Sequence, residues 1–205
     1  MKPNSSKRKV LEAASRLFYQ KGFTGTSVRD IAEQADVNVS LISYYFKNKQ
    51  GLLEYAVTHY YEAYLETIKH TLENMKEQSP VVKLNEIINV IIHYKQTHHQ
   101  LSCLIHRELS LDSVFVREVS VTYLAKENYY IRNAFYDILP DHLRNKYERE
   151  FLYLQLKGMI AAPFVLQNER RDKALDQYSN ELFANQYSRT IHRWITHLAA
   201  ETKKK

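Results

Sequence analysis

Apolar residues recur at three- and four-residue intervals near the start of the chain, at Val10, Leu11, Ala13, Ala14, Leu17 and Phe18, with polar residues between them. That period lays one apolar stripe along a helix running from about Ser5 to Gln20. Ser5 or Ser6 supplies a cap, and Gly22 supplies the stop. Thr24-Gly25-Thr26 reads as a turn. Ser27 then caps a short second helix, because Asp30 stands three residues on in a relaxed form of the capping box. Ile31, Ala32 and Ala35 give that helix its inward face. Asp36-Val37-Asn38 makes the next break, where Asp36 can enter the left-handed region more readily than most residues. Asn38 caps a third helix from Val39 to Phe46. Three helices in about 45 residues, the last two joined by a three-residue turn, form a helix-turn-helix.

Beyond Lys49 the same period continues as a series of longer amphipathic helices, expected at 48–76, 80–99, 99–111, 113–138, 141–168 and 178–200. Pro80, Asp112-Ser113 and Pro140 mark the clearest breaks. The chain therefore reads as all-α with about nine helices. A three-helix domain over 1–48 precedes a helical domain over 49–205. Only 4 glycines and 4 prolines among 205 residues leave little material for long loops, which agrees with that reading.

Charge adds a partner. Residues 1–50 hold 9 lysines and arginines against 4 acidic residues, whereas the remaining 155 are nearly balanced at 20 against 19. The basic excess sits on the helix-turn-helix, and a polyanion is its simplest counterpart. Cys103 is the only cysteine, so no internal disulfide and no CxxC zinc site can form. The basic start MKPNSSKRKV is followed by a stretch broken by Glu12, Ser15 and Arg16, and no run of about 18 apolar residues occurs, so neither a secretory signal nor a membrane span is expected. A cytoplasmic, nucleoid-associated protein fits.

The string GFTGTSVRDIAEQADVNVSLISYYFKNKQGLLEYAV resembles the DNA-binding domain of TetR-family regulators. Gly22, Phe23, Thr26, Ser27, Val28, Ile31, Ala32, Ala35, Val37, Ile42, Tyr44, Phe46, Lys49 and Leu52 or Leu53 fall on the family pattern. Asp36 replaces a common glycine, Ser40 and Ser43 replace a common Gly and Tyr, and Val39 and Leu41 are apolar where polar side chains often stand. Ile42 and Phe46 pack inward in such a helix, which leaves Val39, Ser40, Ser43 and Tyr44 facing DNA, with Leu41 and Tyr45 beside them. Hydroxyls can meet phosphates or base edges, and Val39 or Leu41 a thymine methyl. Thr26, Ser27 and Arg29 at the start of the second helix and Lys49 at the start of the fourth are the candidate backbone contacts. Lys7, Arg8 and Lys9 either reach a minor groove or form a solvated tail.

The resemblance also implies a homodimer on a palindromic site in double-stranded DNA, paired through the last two long helices as a four-helix bundle. Gly158 and Ala162 on one helix, and Tyr187, Ile191, Trp194, Ile195 and Leu198 on the other, are the candidate seam; packing within one chain is the competing account of Gly158 and Ala162. The expected function is a DNA-binding regulator, in this family most often a repressor responsive to a small-molecule effector. A narrower alternative comes from VNVSLISYYFKNKQGLLE and HRELSLDSVFVREVS, which are similar to the regulator-of-FtsZ branch, whose members act on the tubulin-like division-ring protein. His93, His98, His99 and His106 invite a metal reading, but they lack a partner cysteine or acidic pair, and no metal or cofactor is expected. Glu108 and Asp112 share a helix face without any nucleophile and base to assemble around, so no catalytic residues are assigned.

Overall fold

A computed structural model of the chain describes residues 3–109, 114–139, 145–166 and 179–200. These are helical: α1 (Pro3–Lys21), α2 (Val28–Gln34), α3 (Val39–Phe46), α4 (Lys49–Asn74), α5 (Pro80–Thr97), α6 (His99–Glu108), α7 (Val114–Val119), a π-helical turn (Ser120–Leu124), α8 (Ala125–Tyr136), α9 (Lys146–Val165) and α10 (Asn180–Ala200). The run from Val114 to Tyr136 counts as one helix with a π insertion, so the described residues hold nine helices and no strand. The expected breaks at Asp112-Ser113 and Pro140, and the Lys203, Lys204, Lys205 tail, lie outside the described residues. The helix expected over 113–138 is thus interrupted by a π turn at Ser120–Leu124.

Met1–Glu62 and His99–Val119 form one compact unit. It extends past residue 48 to take in the first half of α4 and the whole of α6. α1 begins at Pro3, ahead of the expected Ser5 or Ser6, and the proline suits a first helical turn where its missing N–H has no partner to lose. Ser6 is consequently buried inside the helix rather than capping it. Val10, Ala13, Ala14, Leu17 and Phe18 are all buried as α1 packs on α2 and α6. Arg107 on α6 donates to the Phe18 carbonyl at 2.6 Å, placing a cation at the C-terminal end of α1 where the exposed carbonyls favour one.

Ala63–His98 and Ser120–Lys205 form the second unit. Its longest seam joins α5 to α10. Leu84, Ile87, Ile88, Ile91 and Ile92 are buried on α5, and Phe183, Ala184, Ile191, Ile195 and Leu198 on α10. Polar pairs fix the register along this seam: Gln96 donates to Asn180 at 2.7 Å, and the His93 ring bonds Asn185 at 3.1 Å. Burial pushes the His192 imidazole of α10 below its ordinary value, against the opposing pull of an Asn85 backbone bond and the Glu86 charge.

Behind α5, α8 packs against both α5 and α9. The interior there is charged. Lys95 and Glu127 face each other at 3.6 Å with both side chains buried. The Tyr64 hydroxyl donates to the same carboxylate at 2.6 Å, and Lys95 stands over the Tyr64 ring at 5.3 Å. Asn128 accepts from Lys157 at 2.6 Å and from the Tyr153 hydroxyl at 3.1 Å. Burial lowers Lys157 and pushes the Tyr153 phenol up to about 12. Such groups hold together only as a set, since each is costly to bury alone.

Two outcomes follow from these packings. Glu127→Leu should lower unfolding stability in urea by about 3 to 5 kcal/mol, because it removes the carboxylate that faces the buried Lys95 ammonium, whereas Lys95→Met with Glu127→Leu should recover a large part of that loss. For His192, the unfolded state takes up a proton below 6.5 that the folded state resists, so stability is fully present above pH 6.5 and falls as the pH drops through the lowered folded value. Denaturation midpoints measured from pH 7.5 down to 5 should fall less steeply in His192→Gln than in the parent chain.

Candidate nucleic-acid interface

α3 is built outward from two buried anchors, Ile42 and Phe46. At its start the Asn38 side chain accepts from the Ser40 backbone N–H at 2.8 Å and from the Ser40 hydroxyl at 2.7 Å. Ser40 thus presents lone pairs rather than a proton to anything outside. Asp36 takes the left-handed conformation expected of it, with φ 53°, and turns the chain between α2 and α3. Ser40, Ser43 and Tyr44 stand exposed away from the anchors, with Tyr44 at 79%, while Val39 is exposed one turn before Ile42 on the anchors' own side of the helix. Leu41 and Tyr45 are half-buried at its flanks. Tyr44 and Tyr45 meet edge to face at 5.1 Å, which stiffens both rings.

The end of α3 is as tightly specified. Lys47 adopts φ 67° and ψ −55°, and the Asn48 N–H bonds the Phe46 carbonyl at 2.8 Å, a γ-turn in the strained positive-φ form. The Asn48 side chain then caps α4 by accepting from the Gly51 N–H at 2.8 Å. A β-carbon on residue 51 would lie 2.2 Å from the Phe46 oxygen, so only glycine fits there.

The α2 start is a complete capping box. The Ser27 hydroxyl accepts from the Asp30 N–H at 3.1 Å, and Asp30 accepts from the Ser27 N–H at 2.9 Å. That backbone bond, with the hydroxyl contact, holds the Asp30 carboxyl below the usual range. Ser27 and Arg29 remain exposed. Thr26 is different: it is 1% exposed, and its hydroxyl is directed to the Leu17 and Gly22 carbonyls at 3.2 and 2.8 Å. Its side chain ties the turn to α1 and does not face outward.

Lys49 is also turned to the fold. Its ammonium donates to the Phe23 and Thr26 carbonyls, each at 2.8 Å, and lies 4.5 Å from the centre of the Phe23 ring. Two of its three protons therefore clamp the α1–α2 turn to the head of α4. Lys7 sits 3.9 Å from the Tyr55 ring centre, and Arg8 pairs with Glu12 along α1 at 3.6 Å. Lys7, Arg8 and Lys9 belong to a helix, not to a tail. Sequence reasoning missed the ring contact of Lys7, which it left to a minor groove or a solvated tail, and the role of Gly51. Nothing local marks the first, while the second could have been suspected from a glycine in the first turn of a long helix.

The family model for "Bacterial regulatory proteins, tetR family" matches residues 10–56. The Bacillus subtilis (strain 168) protein "Probable HTH-type transcriptional regulator YttP" is 38% identical over 198 residues, covering 93% of this chain and 92% of that one. The chain belongs to the TetR family. Among solved structures, a TetR-family transcriptional regulator from Bordetella parapertussis 12822 superposes with TM-score 0.71 at 20% identity, over 89% of this chain and 92% of that chain. The TetR-family regulator PfmR from Thermus thermophilus gives 0.70 at 16%, over 90% and 97%. At these identities the two structures speak to the fold.

The TetR-family C-terminal helices place the residues expected at a dimer seam as follows. Ile191, Ile195 and Leu198 are buried within the single chain, in the helix that packs on α5. Trp194 stacks on Phe135 at 6.0 Å, and the Tyr187 hydroxyl donates to the Met159 carbonyl of α9 at 2.7 Å. Gly158 is exposed on α9 and Ala162 is half-buried. Of the four histidines, His99 lies 3.5 Å from the Cys103 sulfur, and among the described residues no group of three His, Cys, Asp or Glu stands close enough to hold a metal ion. No helix among the described residues is long and apolar enough to cross a membrane.

The Lys49 clamp has a measurable signature. Lys49→Met should lower unfolding stability by about 1 to 3 kcal/mol in chemical denaturation, from the loss of two charge-assisted bonds.

Proposed function

We propose that this TetR-family transcriptional regulator is a homodimeric repressor that sets α3 of each copy into successive major grooves of a palindromic site. The division of α3 into a buried face, Ile42 and Phe46, and an exposed face, Ser40, Ser43 and Tyr44, with Val39 exposed at the helix start, carries the reading. Tyr44 and Val39 offer apolar surface and a hydroxyl to base edges, and Ser27 and Arg29 meet the phosphates beside them. Thr26 and Lys49 hold the turn that presents these groups, and Thr26 reaches DNA through its backbone alone.

One recognition helix spans too few base pairs for useful affinity, so the reading requires pairing. Support for it comes from α9, where Tyr147, Phe151, Leu154 and Val165 are exposed at helical spacing, with Gly158 between them. Release by a small-molecule effector is the regulation most usual for such repressors. The regulator-of-FtsZ branch is a narrower version of the same DNA-bound dimer, and binding of the purified protein to the division-ring GTPase separates the two.

The test is a binding series on sites mapped from the chromosome. Tyr44→Ala should weaken cognate binding by about 1 to 3 kcal/mol with little effect on random DNA. Arg29→Ala should weaken both and reduce the salt slope by about one unit. Phe151→Glu with Leu154→Glu should convert the protein to a monomer in sedimentation and abolish tight cognate binding. Unchanged affinity in Tyr44→Ala and Arg29→Ala together would remove α3 and the α2 start from the interface.

A further inference from the structure

The first unit contains a second concave surface that the DNA-facing side does not use. It is a groove of about 430 Å³. Its apolar lining comes from Phe23, Leu53, Val114 and Phe115, and its charged lining from Glu54, Glu108 and Glu118. None of the lining residues is a lysine or arginine. The charged lining lies on α4, α6 and α7, outside the basic first 50 residues.

Glu54 accepts from the Gln50 amide at 3.0 Å, a neutral partner. The Glu108 side chain is only 18% exposed, and its ion pair is with Arg107 Nε at 3.9 Å. That guanidinium is drawn away, since another of its nitrogens donates to the Phe18 carbonyl at 2.6 Å. Glu118, one turn beyond Val114 and Phe115 on α7, adds a third negative charge. A pocket of this size holds a drug-sized molecule, and aromatic rings beside carboxylates favour a cation over a neutral or anionic guest.

From this charge complementarity we infer that the groove is a binding site for a hydrophobic organic cation, with Phe23, Leu53 and Phe115 receiving the apolar body and Glu54, Glu108 and Glu118 the positive charge. The site stands on the α1–α2 turn and the head of α4. Phe23 links it to the clamp, because Lys49 bonds the carbonyl of that same residue and lies over its ring.

The full chain, without DNA, should be titrated in a calorimeter with tetraphenylphosphonium and, separately, with tetraphenylborate, two ions of the same shape and opposite charge. Tetraphenylphosphonium should bind, with tetraphenylborate at least about tenfold weaker, the order expected where the partly desolvated Glu108 carboxylate, flanked by the exposed Glu54 and Glu118, decides the sign. Glu108→Gln and Glu118→Gln together, which keep shape and remove charge, should weaken the cation about tenfold while helicity by circular dichroism is unchanged. Phe115→Ala should weaken it as well. Absence of tetraphenylphosphonium binding, equal binding of both ions, or undiminished cation affinity in the folded Glu108→Gln, Glu118→Gln protein would each overturn the assignment. Because no DNA is present, failure here is distinct from failure of the repressor reading.

Discussion

The carbonyl oxygen of Phe46 fixes how the recognition helix leaves the protein. It accepts the Asn48 N–H across a γ-turn and sits so close to Gly51 that no side chain can stand there. Lys47 pays the conformational cost in positive φ, about 1 to 3 kcal/mol for a residue held in such a region. The surroundings over-determine that turn. Phe46 is buried and meets Tyr55 edge to face at 5.3 Å, Lys7 covers Tyr55, and the Asn48 cap and Lys49 clamp secure the other side. α3 and the head of α4 are therefore joined by a corner that contacts on both sides hold in place.

Much of this was legible along the chain because it is local. Caps at Ser27 and Asn38, the stop at Gly22 and the turn at Asp36 are read from residues one to three positions apart, and each forms as the spacing requires. The 3.6-residue period likewise located the later helices, since an apolar stripe needs no knowledge of its partner. What the pattern could not carry was the direction of long polar side chains. Lys49 stands at a helix start in a basic region, where a phosphate contact is the natural reading, yet its two acceptors lie 26 and 23 residues earlier. Thr26 is drawn inward by a carbonyl nine residues away. Lys7 finds a ring 48 positions later. Sequence spacing is silent on contacts of that range.

The second unit illustrates the same division. Burial of the α5 and α10 stripes follows from periodicity, but Lys95 and Glu127 would be assigned to solvent by any rule that sends charges outward. They are buried because Tyr64 and each other satisfy them. Replacing such a set by apolar side chains is often neutral in stability, so its presence is no measure of how firmly α5 holds α8.

α9 and α10 show why the candidate seam shifts in emphasis once packing is known. A helix with one apolar stripe can satisfy it inside its own domain, and α10 does so against α5. Ile191, Ile195 and Leu198 are then already covered, and the outward positions Gln186, Arg189, Thr190 and Arg193 are polar. α9 carries two stripes. Tyr153, Leu156, Ile160 and Phe164 are buried, while Tyr147, Phe151 and Leu154 remain 73, 63 and 62% exposed on another face. A helix apolar on two faces has more surface to cover than the other described residues supply. Gly158 lies in line with the exposed stripe, and nothing stands within 4 Å of where its side chain would be. In the proposed dimer, that gap in a row of large side chains receives the corresponding row of the second copy's α9.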